Sequence, residues 1–237
     1  DYERIEIVSN ALHGAVYYLI SGHGGPDPGA VARYNGKTLT EDEYAYDITL
    51  RLARVLISHG AKVYMITRDM NDGIRDGWYL ATDKDERVYP NKKIPSGQAE
   101  RLQQRINVVN KLYVQNKGSY QRMVEIHIDS RSKGNGTDVF FYYNPQSVAG
   151  KRLAESLRST MAEKYDKHQP GRGYNGTVSA RALYMLRNSY PVASFIELGN
   201  IHHERDVQRI IMVKNRQALA EWLAQGLIKD YKANKKR

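Results

Sequence analysis

The chain alternates short apolar runs with segments of helical period, and this alternation most limits the folds open to it. Short apolar runs predict strands at 16–20, 61–66, 123–128, 139–143, 182–186 and 192–196. Apolar residues that recur every three or four positions predict helices at 40–59, 98–115, 147–164 and 215–231. Strands interleaved with helices of this length predict an α/β fold: one domain with a twisted, mostly parallel β-sheet of about six strands and helices on both faces.

We expect this domain to span residues 1–237, because no linker, repeat or low-complexity segment divides the chain. Within it, 1–14 is predicted to be a lead-in segment and 232–237 a basic tail. The polar stretch 70–97 is long and lacks clear periodicity, which is usual for functional or mobile segments. We therefore predict a long loop or flap insertion there, and a turn at 131–136.

The formal net charge of +10 indicates attraction to a polyanion, such as nucleic acid, an anionic membrane face or an acidic cell-wall polymer. A basic surface that only keeps the chain soluble explains the same charge. Cysteine is absent, so any metal site must use nitrogen and oxygen ligands. No apolar stretch approaches the roughly 20 residues that a membrane span needs. The first residue is Asp rather than Met, which is compatible with a trimmed form whose export signal is gone.

The loop Gly22-His-Gly-Gly-Pro-Asp-Pro-Gly-Ala30 places a histidine among glycines directly after the first predicted strand. Glycines let the backbone turn tightly there at little steric cost. A phosphate-binding loop is the competing interpretation, but this loop lacks the Lys-Ser/Thr and the Gly-x-Gly-x-x-Gly spacing that such loops use. Taken alone, His23 is open to both a metal-binding and a structural interpretation.

Glu41 lies at the start of the next predicted helix and competes with Asp42 and Glu43 for a functional role. Residues 40–43 have the Ser/Thr-x-x-Glu form of a capping box, which predicts that Glu43 folds back onto the helix start. Glu41 shares the apolar stripe of this helix and is expected to face inward, where a carboxylate needs a cation as partner. An acid that only complements the helix dipole is the alternative.

His127 lies near the end of one predicted strand, and Glu197 follows the end of another. Ligands of parallel sheets sit beyond the carboxyl ends of the strands, so we expect His23, His127 and Glu197 at one edge. Two imidazoles and a carboxylate can hold zinc and leave one coordination position open for water. A further carboxylate beside that water serves as general base. A histidine inside a strand is also common as a core residue, so His127 has two interpretations.

Four more polar residues flank these candidates. Asp27 and Asp129 are placed to accept hydrogen bonds from His23 and His127 and so to orient their rings. His202 and His203, just beyond the last predicted strand, are candidates for extra ligands or substrate contacts. A surface loop without either role is the competing interpretation for that pair.

Taken together, these motifs resemble the zinc-dependent N-acetylmuramoyl-L-alanine amidases, bacterial peptidoglycan amidases of the type-3 amidase class. The resemblance runs through nearly the whole chain and rests on several motifs in the same order: Gly22 to Ala30, Glu41 to Leu56, Gly60-Ala-Lys-Val63, Val124-Glu-Ile-His-Ile-Asp129 and Pro191-Val-Ala-Ser-Phe-Ile-Glu-Leu-Gly199. It implies that His23, Glu41 and His127 are the zinc ligands and that Glu197 is the catalytic acid.

The resemblance also implies one Zn2+ per chain and hydrolysis of the amide bond between the lactyl group of N-acetylmuramic acid and L-alanine. The expected partner is peptidoglycan, with no nucleic acid and no membrane span. Extracytoplasmic action, periplasmic or secreted, and a monomeric state are expected as well. Two alternatives stay open: a zinc carboxypeptidase-like peptidase that acts on peptide stems, and a non-catalytic basic module that binds cell wall or nucleic acid.

The chain departs from the family pattern in several places. Asn200, His202 and His203 stand where the family usually has Phe followed by Ser-Asn, which changes the expected substrate wall. Asp129 stands where Asn is more usual, and 72–97 is longer than the family norm. Some members carry an autoinhibitory helix before the final catalytic segment. Here 147–186 is too compact to hold one, so we predict a permanently open site.

Overall fold

The computed structural model describes residues 2–130 and 138–235. The predicted turn at 131–136 lies outside this part of the chain, as do the last two residues of the basic tail. Over the described ranges, every helix is too short or too polar to cross a bilayer.

The described residues form the following strands and helices. The strands are β1 (Ala15–Ser21), β2 (Val31–Tyr34), β3 (Lys37–Thr40), β4 (Lys62–Met65), β5 (Thr67–Arg68), β6 (Arg87–Val88), β7 (Lys92–Lys93), β8 (Tyr120–Asp129), β9 (Phe140–Tyr143), β10 (Val178–Ala180) and β11 (Val192–Asn200). The helices are α1 (Glu41–Ser58), α2 (Gln98–Gln115), α3 (Val148–His168), α4 (Tyr184–Asn188), α5 (Glu204–Ile211) and α6 (Val213–Lys235).

A six-stranded sheet with the order β10-β9-β11-β8-β1-β4 forms the centre of the fold. All neighbouring strands in it run parallel except β9 and β11, which are antiparallel. The predicted α/β fold with a mostly parallel sheet is therefore confirmed. Its long central strands β1, β8 and β11 end at the same edge.

Helices cover both faces of this sheet, because successive side chains of a strand point to opposite faces. Tyr17 and Leu19 of β1 pack with α1, α3 and α6 on one face. Val16, Tyr18 and Ile20 of the same strand pack with α2 and α4 on the other. Both layers are buried, so β1 is apolar along its whole length, as the sequence led us to expect.

The predicted strand at 182–186 is wrong. Residues 184–188 form the short helix α4, and the strand of this region is β10, which pairs with β9. Met185 and Leu186 of this helix are both buried. A run this short has no measurable period, so the sequence alone did not separate strand from helix.

The predicted capping box at 40–43 is also wrong. Thr40 is the N-cap residue of α1, but its side chain makes no capping hydrogen bond. Glu43 turns away from the helix start: its carboxylate lies 2.9 Å from Arg75 Nη2 and accepts a 2.9 Å hydrogen bond from the backbone N–H of Asp83. Both partners come from the segment 70–97, which offers this buried acid a cation and a donor.

The segment 70–97 packs against the histidine loop. Ile94 lies next to Gly25 in that loop, and the backbone N–H of Gly25 donates a 2.6 Å hydrogen bond to Glu86 Oε2. Leu80, Val88 and Ile94 are buried in the core. The segment therefore supports the loop that carries His23.

Candidate active site

His23, Glu41 and His127 come together at the carboxyl edge of the sheet. His23 lies in the loop after β1, Glu41 is the first residue of α1, and His127 lies near the end of β8. Each offers one nitrogen or oxygen atom, and these three atoms lie within 4.8 Å of one another. The three residues that the resemblance implied as metal ligands thus form one cluster.

The two imidazoles face the same carboxylate. His23 Nε2 lies 3.2 Å from Glu41 Oε2, and His127 Nδ1 lies 2.9 Å from Glu41 Oε1. The rings meet edge to face, with their centroids 5.0 Å apart. The atoms that converge are therefore Nε2 of one histidine and Nδ1 of the other.

The opposite nitrogen of each ring contacts a second carboxylate. His23 Nδ1 lies 2.9 Å from Asp27 Oδ2, and His127 Nε2 lies 3.2 Å from Glu125 Oε1. Both nitrogens of each ring thus face a carboxylate, which can only accept a hydrogen bond. With a cation between the rings and Glu41, each ring would keep its N–H on the outer contact and turn its lone pair to the cation, which is the arrangement that metal-binding histidines use.

Asp27 thus lies where the sequence placed it, whereas the acceptor for His127 is Glu125 and not the expected Asp129. Asp129 lines the cavity at the cluster instead. The sequence analysis did not identify Glu125 as an acceptor, although the alternation of side chains along a strand puts it on the same face as His127. That shared face was the signal that could have identified it.

Two glycines make room for the cluster. A Cβ on Gly29 would lie 2.6 Å from Glu41 Oε2, and its φ of +67° is unfavourable for other residues. A Cβ on Gly22 would overlap the ring of His127. His23 has a φ of 62°, which is uncommon for a non-glycine residue. The glycines of the loop therefore serve close side-chain approach as well as the turn.

The electrostatics of the cluster favour a cation. Burial lowers the pKa of His23, but its hydrogen bonds with Asp27 and Glu41 outweigh burial and raise the pKa to about 9. Burial also lowers the pKa of His127, but its contacts with Glu125 and Glu41 outweigh burial and raise the pKa to about 10. Burial also opposes ionisation of Glu41, yet the two histidines hold its pKa well below the usual range. The carboxylates of Asp27, Glu41 and Glu125 thus surround the two imidazoles and create a site that attracts positive charge.

This donor set fits a zinc ion. Two neutral imidazole nitrogens and one carboxylate oxygen are the ligands of many catalytic zinc sites with one open position. Glu41 is only 4% exposed, and a buried carboxylate of this kind needs a cation close by.

Glu197 lies beside the cluster on β11, as the register partner of His127 on β8. Its Oε2 atom is buried and has no hydrogen-bond partner among residues 2–130 and 138–235. Burial raises the pKa of Glu197, His127 lowers it, and Glu41 raises it again, with a result of about 8. The carboxyl group that the resemblance marked as catalytic therefore has an oxygen available for proton transfer.

A cavity of about 600 Å³ opens over this arrangement. Its walls come from the histidine loop, the starts of α1 and α2, and the ends of β8 and β11. They are His23, Asp27, Gly29, Ala30, Glu41, Gln98, Arg101, His127, Ile128, Asp129, Ser130, Phe195 and Glu197. Neither 70–97 nor 147–186 contributes to these walls.

Asn200, His202 and His203 belong to the turn that leads into α5. The backbone N–H of Asn200 donates to Asp206, and its side-chain oxygen accepts from the backbone N–H of His202. His203 lines a different cavity, together with Tyr165 of α3. The structure therefore does not bring the two expected histidines into the wall of the cavity at the cluster.

Comparisons with known proteins agree with this architecture. The profile of the N-acetylmuramoyl-L-alanine amidase family matches residues 18–229. The germination-specific N-acetylmuramoyl-L-alanine amidase of Bacillus subtilis (strain 168) is 23% identical over 222 residues, which cover 92% of this chain and 80% of that protein.

Solved structures show the same fold. The CwlD amidase from Clostridioides difficile, solved in complex with the GerS lipoprotein, superposes with a TM-score of 0.66 at 20% identity, over 92% of this chain and 98% of that one. The catalytic domain of CwlV, an N-acetylmuramoyl-L-alanine amidase from Bacillus (Paenibacillus) polymyxa var. colistinus, gives 0.65 at 18% identity, over 91% and 97%. The chain belongs to the N-acetylmuramoyl-L-alanine amidase family.

Proposed function

We propose that this protein is a zinc-dependent amidase that hydrolyses the bond between the lactyl group of N-acetylmuramic acid and the L-alanine of the peptidoglycan stem. The observation that carries the proposal is the buried, unpartnered Oε2 of Glu197 beside the cluster of His23, Glu41 and His127. Family membership supports the substrate class.

His23 Nε2, Glu41 and His127 Nδ1 would hold the zinc ion. When bound, zinc supplies Lewis-acid chemistry: it polarises a carbonyl and lowers the pKa of a water molecule toward about 7. Asp27 and Glu125 keep the two rings in the tautomers that present these nitrogens.

Glu197 carries the proton. Its Oε2 accepts a proton from the attacking water as the oxygen of that water bonds to the lactyl carbonyl carbon. The carbon–nitrogen bond then breaks, and Glu197 returns the proton to the departing α-amino nitrogen of L-alanine. The products are a glycan with a free lactyl carboxyl group and a peptide with a free amino terminus.

The setting proposed for this activity is the cell wall. A net charge of +10 supports docking on an anionic wall polymer, and such attraction weakens as added salt screens it. Extracytoplasmic action is part of the same proposal, since peptidoglycan is reached outside the cytoplasm. The proposal also includes a monomeric state.

Digestion of purified peptidoglycan, followed by mass spectrometry of the products, tests this function. We expect peptide-free muramic acid and stems that begin with L-alanine, loss of the activity on chelation, and its return with zinc. Cleavage between two amino acids of the stem would instead indicate a carboxypeptidase-like enzyme. Binding without any cleavage would leave only the cell-wall-binding alternative.

A further inference from the structure

A second cavity, of about 210 Å³, opens beside the metal cluster and shares His23, His127 and Phe195 with the walls of the main cavity. We call it the side cavity. Its volume is about a third of the 600 Å³ of the main cavity. It is therefore too small for a peptide stem and fits one small group of a substrate that lies in the main cavity.

Two polar atoms in the wall of the side cavity are buried and unpaired. Arg105 of α2 is 2% exposed and Glu125 of β8 is 1% exposed. The Nε atom of Arg105 and the Oε2 atom of Glu125 have no hydrogen-bond partner in the part of the chain that the structure describes. Buried polar groups of this kind are normally paired, so each points to a partner that the chain itself does not supply.

One other atom of each side chain is already engaged. An Nη2–H of Arg105 donates to the backbone oxygen of His23, and Oε1 of Glu125 contacts His127. These contacts fix the two side chains, so that one N–H donor and one carboxylate acceptor remain for a ligand. The pair is therefore preorganised on a helix and a strand and does not depend on a loop.

The charges select the kind of ligand. The charges of Arg105 and Glu125 balance each other, and Asp27 and Arg101, which also line the side cavity, form a second neutral pair at 2.7 Å. An anion in the side cavity would be repelled by Glu125 and a cation by Arg105. A neutral group with one acceptor and one donor fits both, and a secondary amide is such a group: its oxygen accepts from Nε and its N–H donates to Oε2.

Part of the remaining wall is apolar. Leu102, Leu183, Met185 and Phe195 line the side cavity next to the polar pair. Apolar walls around a few converging polar atoms are typical of small-molecule subsites. A methyl group beside the amide would fill this part of the cavity.

We infer that the side cavity binds a methyl-bearing secondary amide of the substrate, with Arg105 and Glu125 as specificity-determining residues. The inference rests on the proposed function, which supplies two such groups. One is the acetamido group of the N-acetylmuramoyl sugar. The other is the alanine residue, whose side chain is a methyl and whose carbonyl enters the next peptide amide.

Three soluble substrates distinguish these sources. The parent is an N-acetylmuramoyl dipeptide with L-alanine first. One analogue lacks the acetamido group of the sugar, and the other ends in an L-alanine methyl ester and so has no amide after alanine. We expect kcat/KM of the unsubstituted enzyme to fall about 10–100-fold for one analogue, as expected for losing hydrogen bonds to charged groups.

Substitution of the donor provides the second measurement. Arg105→Met is expected to lower kcat/KM on the parent and to abolish most of the discrimination against that analogue. Arg158→Met is the matched control, since Arg158 is a partly buried arginine that donates to the Gly176 backbone oxygen, and Gly176 lies outside both cavities. Leu183→Phe, which fills the side cavity and keeps both charges, is expected to reduce the discrimination as Arg105→Met does.

The outcomes separate this inference from the proposed function. If the unsubstituted enzyme cleaves neither the parent nor peptidoglycan, the proposed function fails. If it cleaves the parent and both analogues at equal kcat/KM, the proposed function stands and the inference is overturned. The inference is also overturned if Arg105→Met and Leu183→Phe slow all three substrates by the same factor, because Arg105 then only supports the His23 loop.

Discussion

Glu197 and His127 are register partners on the parallel strands β11 and β8. Side chains of parallel partners project to the same face, so the proposed metal ligand and the proposed proton carrier stand next to each other on rigid backbone. Glu125, two positions before His127, lies on that face as well and contacts the ring. Two strands thus provide half of the proposed machinery, and only His23 depends on a loop.

This arrangement predicts that the role of Glu197 can be separated from metal binding. We expect Glu197→Gln to retain one zinc ion per chain and to lose about 10²–10⁴-fold in kcat, the usual range for removal of a general acid–base. Zinc content by elemental analysis and release of stem peptides from peptidoglycan measure the two effects.

Glu155→Gln is the control for that variant, because Glu155 is an exposed acid on α3 that pairs only weakly with Lys151. It should keep both zinc and rate. Near-native turnover of Glu197→Gln would remove Glu197 from the proposed mechanism, and loss of zinc would make it a ligand instead.

Gly22 provides a steric test of the metal cluster. An alanine methyl at this position would overlap the ring of His127, so the ring must move away from Glu41. We expect Gly22→Ala to lower zinc affinity by at least the 10–100-fold that results when the support of a ligand is lost. Competition with a chromophoric chelator measures the affinity.

Gly73→Ala is the matched substitution, since a Cβ there meets nothing within 4 Å. It should leave zinc affinity unchanged. Equal affinities of the two variants would show that the ring of His127 is not held in the position that the cluster requires.

The sequence predicted the sheet and the location of the cluster well, because long buried strands and their ends leave a clear pattern. Two of its failures have a common physical cause. Glu43 and the short helix α4 depend on contacts from distant parts of the chain, such as Arg75, and a local motif cannot report those contacts. Glu125 was missed for a different reason: it is two positions from His127, and the alternation of side chains along β8, a local signal, already put both on one face.

The helix α5 and the residues before it give the same lesson. Val207, Ile210 and Ile211 have helical spacing and are buried, so the signal was present in the sequence. The histidines just before them drew attention as possible ligands, whereas the turn into α5 directs His203 toward another cavity. The role predicted for these histidines from residue type stays a prediction, and the structure places His203 outside the walls of the cavity at the cluster.

The carboxylate of Asp47 connects the segment 70–97 to the rest of the domain. This carboxylate is fully buried and accepts hydrogen bonds from Arg51 Nε at 2.8 Å, from Arg216 Nε at 2.6 Å and from the backbone N–H of Arg75 at 2.8 Å. Removing one partner of a buried ion pair leaves unpaired charge and costs about 3–5 kcal/mol. We expect this loss of unfolding free energy for Asp47→Ala, measured by urea denaturation.

The exposed pair of Glu163 and Lys229, 2.8 Å apart, is the control. Glu163→Ala should cost less than about 1 kcal/mol, because solvent screens exposed pairs. A cost for Asp47→Ala as small as that of Glu163→Ala would contradict the buried network.

Glu86 predicts a pH dependence of stability. Burial raises the pKa of Glu86 to about 7, with smaller contributions from Glu43 and Asp83, while the N–H of Gly25 opposes the rise. A carboxyl group with a raised pKa in the folded state stabilises the fold below its ordinary pKa, and this contribution is lost as pH rises to about 7. Glu86→Gln is neutral in both states and escapes that loss.

We therefore expect the free energies of unfolding of Glu86→Gln and of the unsubstituted protein to differ near pH 4 only by a constant offset. By pH 8 the free energy of unfolding of Glu86→Gln should rise by a further ~1–3 kcal/mol relative to the unsubstituted protein, at about 1.36 kcal/mol per pKa unit. Urea midpoints at the two pH values measure the gain. Glu100→Gln, at an exposed acid on α2, should show no such pH-dependent gain. If the difference between Glu86→Gln and the unsubstituted protein is the same at both pH values, Glu86 ionises in the folded state as it does in the unfolded chain. The hydrogen bond from Gly25 would then offset burial, and the contact between 70–97 and the histidine loop would be a charged one.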